Sequence, residues 1–520
     1  MAYSTRTGST EVGPAGLGPA GLGPVRRGFR ISSAGAGPLV IIAGGLLLGV
    51  LIAYLAYASS GFGPVLILLA LPVVIGVVVV ALPNTKTKLF ALAEKLTWWH
   101  LLWFLIYVSG MVFRFARDVQ AARAEAIDSV AMLRIAPEVI VLAVLLVRLV
   151  LRKPNWLGSL FRGVVGAMAF YSLACLTSAL WSVYPEWTLL KSGEYLIYVM
   201  FMATVLVTVQ STEEYSSLFN LTWTFLGMDL LWTWTQTLIW ADAWDQWGRL
   251  TGVFPIEAAN VVGEIGAFVA IVALCRLLPL DGKRRPDRAW YLLVLVLGCS
   301  ALLASQTRND LAAFLFGFAL IILVSQRLRL GAALAAATIP VIMVAGLNST
   351  VYDYLTRGQT EKEMSSLTGR MAWWSFAWEQ FQHHPFTGLG AYAAGRFAIL
   401  GKLGLDMGSL HSDYIETMVG TGLWGLVPLL AALIGTWWLL VRFVRDRSLT
   451  SLERQLAYES IGVLGVVTLH SFFNVEIVWQ APLAFLAVLG YAEFLRRKQS
   501  AARFAEPADT GLRVLATEFQ

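Results

Sequence analysis

The chain has 520 residues, 57% hydrophobic and only 14% charged, with a mean hydropathy of +0.67. Soluble globular chains carry about 25% charged residues. The deficit, with apolar runs recurring at span length, excludes a string of soluble domains and implies one all-α polytopic membrane protein surrounded by membrane lipids. The net charge of +6 does not make nucleic acid a partner, because the excess Lys and Arg sit in short loops on one side of the predicted spans.

Residues 1–37 are rich in Gly, Pro, Ser and Thr and repeat Gly-Leu-Gly-Pro. Such a composition buries no core, so a disordered N-terminal segment is expected. It does not read as a cleavable signal, since the apolar run comes late and no small-residue site follows it. Arg26, Arg27 and Arg30 precede the first span and favour a cytoplasmic N-terminus. Candidate spans then fall at 38–58, 64–83, 98–113, 131–151, 162–181, 193–210, 218–240, 258–278, 290–305, 311–326, 331–347, 421–442, 457–473 and 478–495. That is about 12–14 transmembrane helices. Residues 38–498 thus form the membrane domain, and 499–520 a cytoplasmic tail.

Lys86, Lys88 and Lys95, Arg152, Lys153 and Arg162, Lys283 through Arg288, Arg327 and Arg329, Arg442 through Arg447, and Arg496 through Lys498 all fall on one side, which the charge bias makes cytoplasmic. The external side then holds 182–192, 241–257, 306–310, 348–420 and 474–477. Loop 114–130 breaks the pattern, with Arg114, Arg117 and Arg123 on the external side. Asp118, Glu125 and Asp128 partly balance it, and an amphipathic interfacial helix accounts for it.

Residues 348–420 form the one long polar stretch between spans, and loops of that size are usually functional. Ser365 or Ser366 is expected to cap a helix through Trp373, Trp374, Trp378 and Phe381, whose spacing suits a helix on the membrane surface. His384-Pro385 ends it, and Gly388-Leu389-Gly390 makes a turn. The segment closes on His411-Ser412, followed by Gly422 and Gly425 where the next span begins.

Four residues on the external face are candidates for chemistry. Arg249, Arg308 and Arg370 lie against the positive-inside bias, so each needs a partner, and a planar fork of donors suits phosphate oxygens. Each also has a plain structural reading. Arg249 can pair with Asp242, Asp245 or Glu257, Arg308 can pair with Asp310, and Arg370 can be a solvated helix residue. His411 is an imidazole at the junction of water and membrane, and by position alone it is as well read as structural. His383 and His384 look structural, and His470, beside Asn474 and Glu476, reads as a packed partner of the site. Cys175, Cys275 and Cys299 suggest neither disulfides nor metal ligands, and no zinc spacing, P-loop or Asp-x-Asp pattern occurs. No metal or cofactor is expected.

The pieces Arg249-Leu250-Thr251-Gly252-Val253-Phe254, Ser305-Gln306-Thr307-Arg308, Thr368-Gly369-Arg370, His384-Pro385-Phe386-Thr387-Gly388-Leu389-Gly390 and His411-Ser412 with Gly422 and Gly425 occur in this order. Together they resemble the signature of the O-antigen ligase and polymerase superfamily, over residues 245–430 most clearly. The resemblance implies a metal-independent C-type glycosyltransferase of the bacterial cytoplasmic membrane. Such an enzyme moves a glycan from an undecaprenyl-pyrophosphate carrier to a glycan or lipid-linked acceptor on the external face. By matched position, Arg249, Arg308 and Arg370 would hold the pyrophosphate, and His411 would activate the acceptor hydroxyl. The Gly/Pro-rich N-terminus and the number of spans depart from the family pattern and leave ligase and polymerase both open.

The chemistry agrees with the resemblance. A glycosyl pyrophosphate is already activated, so the site must stabilise the leaving charge and take one proton. An imidazole with an ordinary pKa of ~6.5 suits the second task. Proton transfer would be concerted with bond cleavage, and attack opposite the leaving group would invert the anomeric centre. A competing reading is a transporter that flips lipid-linked oligosaccharide, which should show paired broken helices in an inverted repeat, and none is visible in the sequence. A signalling or scaffold protein would leave the arginines and His411 incidental.

Overall fold

The computed structural model describes residues 96–113, 119–125, 127–152, 156–278, 287–329, 352, 354, 356, 369–405, 407–478 and 482–505. The expected N-terminal segment 1–37, the spans at 38–58, 64–83 and 331–347, and the Ser365/Ser366 cap lie outside these residues. The architecture below is that of the unit Trp98–Gln520.

Helix α1 (Trp98–Tyr107) runs into a π-turn at Val108–Val112. The short α2 (Val119–Ala124) and long α3 (Ser129–Arg152) follow, then α4 (Trp156–Leu160), α5 (Gly163–Thr177) and α6 (Pro185–Thr208). Next come α7 (Thr212–Gln236), α8 (Ala259–Leu277), α9 (Arg288–Ala304) and α10 (Arg308–Val324). After the long polar segment's α11 (Arg370–His383) come α12 (Asp413–Val444), α13 (Ser451–Phe473) and α14 (Leu483–Ala505). Among the described residues there is no strand, only the isolated bridges Trp244–Leu250 and Gly252–Glu257.

Every predicted span within the described residues is a helix, and the differences lie at the ends. The helix expected at 193–210 starts at Pro185, whose fixed φ suits a first turn. The one expected at 421–442 starts eight residues earlier at Asp413, and α14 continues to Ala505. Five helices are long and apolar enough to cross a membrane: α5 with its 3-10 extension to Trp181, α6, α8, α12 and α13. The chain is an all-α polytopic membrane protein.

Lipid offers apolar side chains no gain from clustering, so these helices associate through close packing of small residues. Gly266 and Gly298 let α8 and α9 cross so tightly that a Cβ on either would lie 2.7–2.8 Å from the other helix's backbone nitrogen. Gly317, Gly462 and Gly465 do the same for α10 and α13.

The loops sort into two ends as the charge pattern predicts. At one end, Val183 N–H donates to the Leu389 carbonyl, Leu250 N–H to Ala304, and Asp413 N–H to Asn474. These ties join loops 182–192, 241–257, 306–310, 348–420 and 474–477. Loop 114–130 belongs with them, because the Arg123 guanidinium donates to the Phe397 carbonyl at 2.9 Å and Tyr184 donates to the Ala122 carbonyl. Its basic residue therefore has a structural duty on that face. At the other end, buried Glu453, Glu459 and Glu493 hold Lys498, Arg276, and Arg496 with Arg497.

The charge bias of the loops predicts an external His411 end. A membrane-impermeant maleimide should therefore label Gln382→Cys in intact cells and Ser448→Cys only after permeabilisation, since both positions are exposed at opposite ends. The reverse pattern would invert the topology.

Candidate active site

The polar end of the bundle is assembled around the last turn of α13. His470 is fully buried there, and its Nδ1 lies 2.5 Å from Asp310 Oδ1, one turn into α10. Its other ring nitrogen faces Glu264 of α8 at 3.4 Å. The His470 carbonyl accepts from Asn309 Nδ2 at 3.3 Å and from the Asn474 backbone at 2.8 Å. One residue thus fixes both the start of α10, where Arg308 is the first helical residue, and the turn that carries Asn474.

His411 sits on a tight turn with φ +54°, a region costly for most side chains but visited by His more often than average. The turn is set by Ser412, the N-cap of α12, whose hydroxyl accepts from the Ile415 N–H. Two residues along, the Asp413 carboxylate accepts three N–H groups, from Glu476 (3.1 Å), Ile477 (2.9 Å) and Val478 (3.1 Å). That clamp brings Asn474 to the imidazole, with Oδ1 3.2 Å from His411 Nδ1. An amide oxygen only accepts, so Nδ1 carries the proton and Nε2 is left with the lone pair.

Helix α11 closes over the turn. Trp373 lies 6.4 Å from the His411 ring, and Trp374 Nε1 donates to the Leu410 carbonyl at 2.9 Å. Its aromatics therefore do not all face the same way. Trp378 is exposed, whereas Trp374 turns inward because its N–H needs an acceptor. The helix starts after Gly369, at φ +88°, and ends at His383 as His384-Pro385 predicts. Its first residue, Arg370, donates to the Phe473 carbonyl at the end of α13. There its guanidinium is attracted by Asp310 and repelled by Arg308.

The structure thus brings Arg308, Arg370 and His411 together. Arg249 is placed differently. Its loop is docked beside the others, through Gln306 Nε2 on the Gly248 carbonyl (3.2 Å) and Gln236 Oε1 under the N–H groups of Val253 and Phe254. The guanidinium itself is committed to Asp245 at 2.7 Å and stacks on Trp247. Burial opposes the Asp245 charge, but the bonds from Arg249 and Trp247 outweigh it and hold the carboxyl below its usual range.

The expected pKa near ~6.5 for His411 does not hold. Burial first, then the Arg370 charge, push the imidazole down to about 4, against the pull of the Asn474 bond.

The glycines after His411 act differently from one another. At Gly422 the helix breaks, with φ +60° and ψ −155°. The groups freed by the break bond to the turn segment Pro385–Gly390. Leu423 N–H donates to the Pro385 carbonyl, Trp424 N–H to Phe386, Leu389 N–H to Val419 and Gly390 N–H to Gly420. A Cβ on Gly422 would lie 2.5 Å from the Phe386 carbonyl carbon. Gly422 therefore makes a close contact with a crossing segment. At Gly425 a Cβ would meet Thr421 of the same helix.

An all-α bundle with two arginines and a hydrogen-bonded imidazole at one end defines a membrane protein with a polar site at that end. Residues 293–430 match a family model described as O-antigen ligase, and the match supports the resemblance to the O-antigen ligase and polymerase superfamily. The match includes Arg308, Arg370, His411 and the Gly422 break, and stops short of Arg249 and of the 470–474 turn. No curated protein matches the chain.

Proposed function

We propose that the chain is a glycosyltransferase that moves a glycan from a polyprenyl-pyrophosphate carrier to an acceptor hydroxyl at the external membrane surface. The observation that carries this reading is the placement of His411, with its free nitrogen fixed by Asn474, beside Arg370 and Arg308. The start of α10 adds the positive end of a helix dipole at Arg308. The acceptor oxygen attacks the anomeric carbon, the bond from that carbon to the pyrophosphate oxygen breaks, and the electron pair leaves with the pyrophosphate. The acceptor proton passes to His411 Nε2, and Arg308 and Arg370 bear the departing charge. Arg249 joins them only by exchanging Asp245 for phosphate.

An imidazole of pKa about 4 is a weak base. A pyrophosphate seated between Arg308 and Arg370 would offset the repulsion that holds it down, so the donor itself raises His411 toward the range a base needs. The base is strengthened only when there is a bond to break.

A transporter reading has one observation in its favour, the broken helix at Gly422. The backbone groups freed there are taken by residues 385–390 rather than left to face a cavity, which favours the enzyme.

Purified protein supplied with polyprenyl-pyrophosphate oligosaccharide and candidate acceptors should release carrier pyrophosphate and form a glycosidic product. Arg308→Lys should lower kcat/KM about 10- to 100-fold, because a point charge replaces a charged fork. Wild-type kinetics in that variant would remove Arg308 from the site, and the absence of any transfer would remove the proposal.

A further inference from the structure

At the end of the bundle opposite His411 there is a cavity of about 370 Å³, lined by Ser159, Arg162, Val207, Arg496, Arg497 and Ser500. Glu493, fully buried, lies against it. Its carboxylate takes Arg496 through two bonds (2.8 and 2.5 Å) and Arg497 through one (3.0 Å). Arg497 also reaches the Ser159 carbonyl at 3.3 Å. Gly163, at φ +61°, lets the carboxylate press against the backbone, since a Cβ there would lie 2.1 Å from Glu493 Oε2. Arg162 is exposed and has no side-chain partner among the described residues. Two guanidinium groups thus share one carboxylate and Arg162 adds a third, so the cavity lining carries two more positive charges than Glu493 can balance.

The surroundings are apolar. Leu157, Phe161 and Phe170 are about half exposed beside Ser159 and Arg162, and the two phenyl rings pack at 5.7 Å. A cationic cavity whose Arg162 follows the exposed Phe161 in the chain fits a ligand with an anionic head and hydrocarbon chains. The loop charges put this end at the cytoplasmic leaflet. We propose that the cavity binds the phosphate of an anionic phospholipid, with the forks of Arg162, Arg496 and Arg497 on the head group and the chains over Phe161 and Phe170. The inference is independent of the external site.

A free cytosolic phosphate has the same anionic chemistry, so the test carries both. Full-length protein in detergent is titrated with phosphatidylglycerol, phosphatidylcholine or inorganic phosphate, and bound ligand is read by native mass spectrometry and thermal shift. Phosphatidylglycerol should bind and raise Tm where phosphatidylcholine does not, and phosphate alone should bind far more weakly. Arg162→Gln should weaken phosphatidylglycerol binding about 5-fold and Arg162→Glu about 25-fold, and both variants leave the Glu493 pairs intact. Equal binding of the two lipids, phosphate binding as tight as phosphatidylglycerol, or unaltered affinity in both variants would each overturn the proposal.

Discussion

His411→Ala should lower the rate of glycan transfer by about 10²–10⁴-fold, the usual worth of a positioned base, with donor affinity nearly unchanged. In the proposed mechanism the imidazole acts on the acceptor, whereas the carrier pyrophosphate meets Arg308 and Arg370. Two measurements separate this from a structural role. A packing histidine, once truncated, would lower Tm and yield and take activity down only in proportion. The pH profile is the second. His411 is neutral above its pKa of about 4 in the free protein, so kcat/KM should stay level as pH falls through 6.5 and drop only as pH approaches that value. The acid limb of kcat should lie higher, because the bound donor offsets Arg370. His411→Ala protein with normal stability and wild-type turnover would dismiss the base.

Gly422→Ala should prevent accumulation of folded protein. The backbone there has φ +60° with ψ −155°, a nearly glycine-only region that costs roughly 1–3 kcal/mol for a residue with a Cβ. The new methyl would also overlap the Phe386 and Pro385 carbonyls at 2.5–2.7 Å. Neither partner is a movable side chain, so relief means parting residues 385–390 from the broken helix and losing the hydrogen bonds between them. Gly369→Ala is the control. It has φ +88° but open space around the added atom, so it should pay the conformational cost alone. Thermal unfolding of the two variants in one detergent makes the comparison, and equal losses would show that the crossing at Gly422 is unimportant.

Much of this was legible from residue order, for identifiable reasons. Span positions follow from apolar runs, and the sorting of loops follows from charge. His384-Pro385 marked the end of α11 because the residue before proline avoids helix. His470 and Asn474 stood out because polar residues near a span are expensive. The route by which they act was hidden, since it depends on a ring reaching Asp310 from 160 residues away. The Asp413 clamp left one faint trace, an acid just after a Ser cap. The start of α12 was misplaced because Gly422 reads as a helix boundary, and a break whose backbone groups are taken by a crossing segment has no signature in one strand of sequence. The pKa of His411 could not be read at all, since burial and a neighbouring cation are properties of the assembled end.

The ties at the 470–474 turn bear on how the protein is made. His411 needs Asn474, Arg370 rests on Phe473, and the start of α10 is held by His470. A nascent chain that has reached Val444 contains Arg308, Arg370 and His411, but lacks these three contacts. Because chains emerge from the N-terminus at about 5–20 residues per second, these ties form only some seconds after His411 has been made, once residues 470–474 follow. A premature stop between residues 444 and 470 therefore yields a chain that has all three side chains and lacks the contacts that hold them.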